Sequence, residues 1–155
     1  MDIISLVISI ISVVIALAAF LNNRSQQKKD QANKICAWIP EPGDFKDGEM
    51  RVRVANTSDL PVYQVAISMG VFRGAGCSYF TGNDNNTLIA LLPPGEYEYR
   101  VPFMGGGMHM HFEPAISFQD AQGQNWRRDA TGKLSKTHLD PYEELEIEQP
   151  AHLEG

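Results

Sequence analysis

Side chains able to bind a metal crowd into one short stretch, Met104, Met108, His109, Met110 and His111, beside the glycines at 105–107. Thioether sulfur and imidazole nitrogen are donors that Cu(I) prefers, and a run of glycines would let the chain close around an ion. Read as a strand, the same stretch sends Met108 and Met110 to an apolar face with Phe112 and Ile116, and His109, His111 and Glu113 to the opposite one. Alternate residues on that face stand about 7 Å apart. The trio would therefore complete a Zn2+ or Cu2+ shell only with a ligand from a neighbouring strand or a second copy. The expected arrangement is polar side chains above core methionines, with copper or zinc handling through His109, His111 and Glu113 as the alternative.

Ser, His and Asp all occur, but no glycine-flanked nucleophile, phosphate loop or paired-histidine zinc motif sets them in a catalytic geometry. The expectation is a protein that is not an enzyme and uses no cofactor. Trp126, Arg127 and Arg128 follow a turn at Asp120 and form a candidate interaction surface, because exposed aromatic and Arg side chains dominate interface energetics. The competing reading of the same residues is a hairpin with a core Trp and two solvated cations.

The elements that would carry these residues start from a long apolar run. Ile3 to Leu21 contains no charged residue, enough helix to cross the roughly 30 Å hydrocarbon core while satisfying its own backbone. Ala16-Leu17-Ala18 has the small-x-small form of a signal-peptidase site, which admits a processed, secreted protein. The acidic Met1-Asp2 start and the long core favour a permanent anchor instead, since a signal peptide has a basic beginning and a short core. Ser5, Ser9, Ser12, Ala16 and Ala19 recur at spacings of four and three, a narrow stripe that would let another transmembrane helix approach closely, from a second copy or a partner subunit.

Arg24, Lys28, Lys29 and Lys34 lie just after the run and no Lys or Arg precedes it. That asymmetry predicts the amino terminus outside and the rest in the cytoplasm, with the four cations near anionic lipid headgroups. Residues 22–34 are polar and free of Gly and Pro, which prolongs the helix as a stalk that lifts the remainder off the bilayer. The domain is expected at 35–139. The formal charge of −6 equals the six carboxylates of residues 140–155, which leaves 1–139 formally neutral. No basic face for nucleic acid is expected. The acidic tail 140–155, with Leu139, Tyr142, Leu145 and Ile147 set in and beside it, reads as a last edge strand or a short linear binding segment, with disorder toward its end.

Between these ends the period changes to two. Strands are expected at 35–39, at Met50, Val52 and Val54, at Tyr63 to Val71, at Thr87 to Leu92, at Tyr97 to Phe103 and from Met108 to Phe118, with Trp126 returning after a hairpin turn at Asp120 to Gly123. Gly74 to Thr87 reads as a long polar loop that holds at most a short edge strand at 78–80. Asn-x-Ser-x-x-Pro at 56–61 and Leu-x-Pro-Gly at 92–95 are turn signals that any β-sandwich uses. The expected fold is all-β, an antiparallel immunoglobulin-like β-sandwich preceded by one N-terminal transmembrane helix (1–21), with Trp38, Val65, Ile67, Tyr99, Val101, Phe112, Ile116 and Phe118 in its core. Cys36 and Cys77 are not expected to pair. The function these features suggest is a single-pass, membrane-anchored interaction or sensing module, a non-catalytic subunit of a larger membrane assembly.

Overall fold

A computed structural model describes residues 3–103 and 109–148. The apolar run and the stalk form one unbroken helix, α1 (Ile3–Asn33), of which Ile3–Asn23 is long and apolar enough to span a membrane. The strands follow as β1 (Ile35–Trp38), β2 (Phe45–Lys46), β3 (Glu49–Asn56), β4 (Val62–Arg73), β5 (Gly76–Tyr79), β6 (Thr87–Leu92), β7 (Gly95–Pro102), β8 (Met110–Gln119), β9 (Asn125–Arg128) and β10 (Leu134–Lys136), and a short helix, α2 (Pro141–Glu144), comes last.

The strands make two antiparallel sheets. In the first, β3 pairs β7 along one side and β1 and β2 along the other; the second runs β10-β9-β8-β4-β5, with β6 also on β4. The alternation of the sequence explains both. Met50, Val52 and Val54 turn inward from β3, while Arg51 and Arg53 stay outside in ion pairs with Asp44, Glu96 and Glu98. One core joins the sheets: Met50, Val52, Val54 and Val101 pack with Val62, Val65, Ile67, Met69, Ile116, Phe118 and Trp126. Of the expected core residues, Tyr99 and Phe112 are partly buried against it, and Trp38 is only half-buried and outside it.

Parity changes within β4. Tyr63 is expected inward with Val65 and Ile67, but a bulge between Tyr63 and Ala66 puts Gln64 at φ 47° and leaves Tyr63 outside. Val62 takes the inward place, because one extra residue in a strand reverses every side chain before it.

The expected loop at 74–87 is more ordered than its composition implies. A two-residue turn at Gly74 returns β5 along the end of β4, and residues 83–85 form a single 3-10 turn. Cys77 therefore lies on an edge strand, and both it and Cys36 are free thiols. The last segment is a correction as well. Residues 140–148 form neither an edge strand nor a loose peptide: Asp140 caps α2 by accepting from the amides of Tyr142 and Glu143. Tyr142, Leu145 and Ile147 then bury themselves against Ala66 on the outer face of β4. That face reads as polar only because its residues, Ala66, Ser68 and Gly70, are small; smallness is what lets the tail approach. At Gly70 an added Cβ would collide with Ala130.

Candidate functional site: the junction of helix and domain

The metal-binding trio does not assemble on one face. His109 precedes β8 at φ 74°, so the alternation that His111 and Glu113 share does not extend to it. His111 instead meets Glu113 as a pair, Nε2 to Oε1 2.8 Å, while its ring lies 5.8 Å from that of Phe72. Met104 and Met108 lie outside the described residues. Met110 and Phe112 line a cavity of about 190 Å3 with Met50 and Ile39, and the Phe112 ring meets Phe103 edge-on at 4.3 Å. Among the described residues, no group of three His, Cys, Asp or Glu side chains is close enough to hold a metal.

Trp126, Arg127 and Arg128 all make bonds within the fold. Trp126 is 7% exposed, and its indole N–H donates to Asp120 Oδ2 at 2.9 Å. The other oxygen of Asp120 accepts from the amides of Gln122 and Gln124, each at 2.9 Å, so one buried carboxylate shapes the whole β8–β9 turn. Arg127 pairs with Glu144 at 3.0 Å and lies over the Tyr79 ring at 4.4 Å, which ties the tail to the six-stranded sheet. The Tyr79 hydroxyl accepts from the amide of Ala130 at 3.0 Å, and burial pushes its pKa above the ordinary phenol value.

Arg128 explains how α1 is held. The last carbonyls of a helix lack partners within it. Here Arg128 supplies two of them, with Nη2 at 3.4 Å from Ala32 O and 3.3 Å from Asn33 O, while Nε donates to Ile35 O of β1 at 2.9 Å and Nη1 to Gly132 O of the β9–β10 turn at 3.0 Å. A guanidinium at the negative end of the helix also complements its dipole. Ala32 and Ile35 are fully buried in the core that unites the two sheets. Gln31 adds three more bonds: its Nε2 donates to Leu60 O and Pro61 O at 3.3 and 3.2 Å, and its Oε1 accepts from the Ala121 amide at 3.2 Å. The β3–β4 turn it grips is itself braced by buried Asn56, whose Nδ2 donates to Leu60 O and Leu92 O. Sequence reading treats Gln31 and Ala32 as anonymous stalk residues; the only signal was a polar helix running without a Gly or Pro into the first strand.

Asp129 closes the β9–β10 turn. Burial would raise its pKa, but the Thr131 hydroxyl and the amides of Lys133 and Thr131 outweigh it and hold the carboxyl below its usual value.

In the membrane-length part of α1, Ser9 and Ser12 bond back to the carbonyls of Ser5 and Ile8, each at 2.9 Å. The stripe of Ser5, Ser9, Ser12, Ala16 and Ala19 is exposed, and no part of the apolar segment is covered by the domain. Lys29 and Lys34 are exposed beyond it; the side chains of Arg24 and Lys28 lie outside the described residues.

No protein-family model matches the chain, and no curated protein sequence matches it.

Proposed function

We propose that this chain is a single-pass membrane protein whose immunoglobulin-like β-sandwich is a non-catalytic interaction or sensing module in the cytoplasm, with the amino terminus outside, working as a subunit of a membrane assembly. The observation that carries this reading is the continuity of α1: one rigid helix is bare and apolar at its start and locked into the domain's core at its end. A flexible tether would place a domain near a membrane. A helix whose final turn is core material also sets its orientation, so movement of the span is passed to the sheets. The packing of both sheets around one core supports the sandwich. The engagement of Asp120, Arg127, Arg128, Asp129 and Glu144 in holding turns and termini supports a structural rather than chemical use of the polar groups. Orientation rests on the cations after the span.

The exposed thiol of Cys77 provides the test. In cells expressing the full chain with Cys36→Ser, a membrane-impermeant maleimide is expected to label Cys77 only after permeabilisation, and alkaline carbonate is expected to leave the protein in the membrane pellet. Labelling in intact cells would put the domain outside; release by carbonate would remove the anchor.

A further inference from the structure

Large apolar side chains left exposed on the domain are unevenly placed. Among the described residues outside α1 they are Phe45, Leu60, Tyr63, Leu88, Leu91 and Leu139. The topology locates each. Leu60 is in the turn that Gln31 grips, and Tyr63 and Leu91 face each other across β4 and β6 one pair in from the ends of those strands. Leu139 follows β10, close to the start of β9, where Thr137 bonds to Asn125. Four of the six thus sit at the end of the domain from which α1 departs. Leu88 lies further along the sheet, opposite Ala66, and only Phe45 occupies the far end, on β2. At the near end the exposures are 51% for Leu60, 46% for Leu91, 52% for Leu139 and 38% for Tyr63.

We infer that this end of the domain rests on the bilayer that α1 crosses, with Leu60, Tyr63 and Leu91 in the interfacial zone and Lys29 near its headgroups. The inference rests on the reading of α1 as a membrane span. The helix sets the height. The membrane-length segment ends at Asn23 and Gln31, eight positions on, is already bonded to the Leu60 carbonyl, about 12 Å along the axis. The headgroup zone extends roughly 5–8 Å beyond the hydrocarbon. An upright helix would leave the loop just above it. Membrane helices tilt by about 20° on average, and a loop packed some 8–10 Å from the axis then descends by roughly 3 Å on the side toward which the helix leans. Leu60 then reaches the zone, and the sheet end carrying Tyr63 and Leu91 follows it.

Charge agrees with this placement. Between the end of the span and β1 there are four cations, Arg24, Lys28, Lys29 and Lys34, against one carboxylate, Asp30, to which the adjoining turn adds Asp59. The stalk's surplus is positive and suits anionic lipid, while the further carboxylates at this end, Glu96 and Asp140, are engaged with Arg53 and with the first turn of α2. The partner is accordingly a lipid surface, gripped by aliphatic and tyrosyl side chains beside a basic rim. The stalk does not hold the domain clear of the membrane; it holds the domain down at a defined angle.

The test uses the full chain with Cys36→Ser and Cys77→Ser in nanodiscs containing anionic lipid. Nitroxides are placed by Leu60→Cys, Leu91→Cys, Phe45→Cys and Val13→Cys, one at a time. Collision with oxygen, which concentrates in lipid, is compared with collision with a water-soluble nickel chelate. The ratio at Leu60 and Leu91 is expected to be several-fold higher than at Phe45, and highest at Val13. Equal ratios at Leu60, Leu91 and Phe45, with Val13 in hydrocarbon, would overturn the docking while leaving the anchor intact. Shielding of Leu60 and Leu91 from both relaxants would place them against protein and overturn it too. A water-exposed Val13 would remove the anchor, and the docking with it.

Discussion

Replacing Arg128 by Met keeps most of the side-chain stem and removes the guanidinium. Its consequence can be worked from the four contacts it makes. The carbonyl of Gly132 is near solvent and recovers a water partner, so little is lost there. The carbonyl of Ile35 belongs to a fully buried residue and loses a 2.9 Å bond, and an unmet buried acceptor costs about 1–3 kcal/mol. The carbonyls of Ala32 and Asn33 lose longer contacts, 3.4 and 3.3 Å, and the cation at the helix end is worth about 0.3–1 kcal/mol more. The sum is about 2–4 kcal/mol, which for a domain of this size lowers Tm by roughly 10 °C. The assay is thermal unfolding of the full chain in detergent, followed by tryptophan fluorescence, with Arg53→Met as the reference. Arg53 makes exposed ion pairs with Glu96 and Glu98 at 3.2 and 3.6 Å, and pairs of that kind contribute less than about 1 kcal/mol. Arg128→Lys should fall between the two, since an ammonium keeps the charge but cannot span the same carbonyls. If Arg128→Met melts with Arg53→Met, the helix is not held by this residue and the account of the junction is wrong.

The remaining predictions concern core, tail, pH and span. Phe118→Ala should destabilise by about 3–5 kcal/mol and Leu145→Ala by about 2–5 kcal/mol, because both side chains are fully buried; urea titration of the same two variants checks this, and a near-neutral Leu145→Ala would mean the tail is not docked. Asp129 is held below its usual pKa by hydrogen bonds to its ionised form, so its contribution is complete above the ordinary carboxylate range. That contribution is lost as pH falls toward the lower folded value, because the unfolded chain binds the proton first. Asp129→Asn should flatten that part of the acid stability curve, and an unchanged curve would count against the turn's role. In the span, Ser9→Leu with Ser12→Leu should weaken helix association or co-purification of partners more than Ile11→Leu with Val14→Leu, and equal effects would leave the stripe without a function.

Much of the architecture was legible because it depends on local pattern. An uncharged run as long as Ile3 to Leu21 has one stable form in lipid, and strict alternation in β3, β4, β7 and β8 declares which residues turn inward wherever the pleat is regular. The turn at Asp120 and the return of Trp126 beside β8 were readable for the same reason.

What only the tertiary structure decided are the contacts between positions far apart in the chain. Arg128 looks like a solvated cation until the end of α1, some 95 residues earlier, arrives beneath it. Tyr142, Leu145 and Ile147 look like stray apolar residues in an acidic tail until Ala66, Ser68 and Gly70 leave room for them. The bulge at Gln64 and the positive φ of His109 defeat alternation from within, since an inserted residue or a left-handed one shifts parity without changing composition. A sequence states which side chains seek burial and which seek partners; which distant segment supplies them is determined when the chain closes on itself, because only then do the buried carbonyls and the small-residue faces exist.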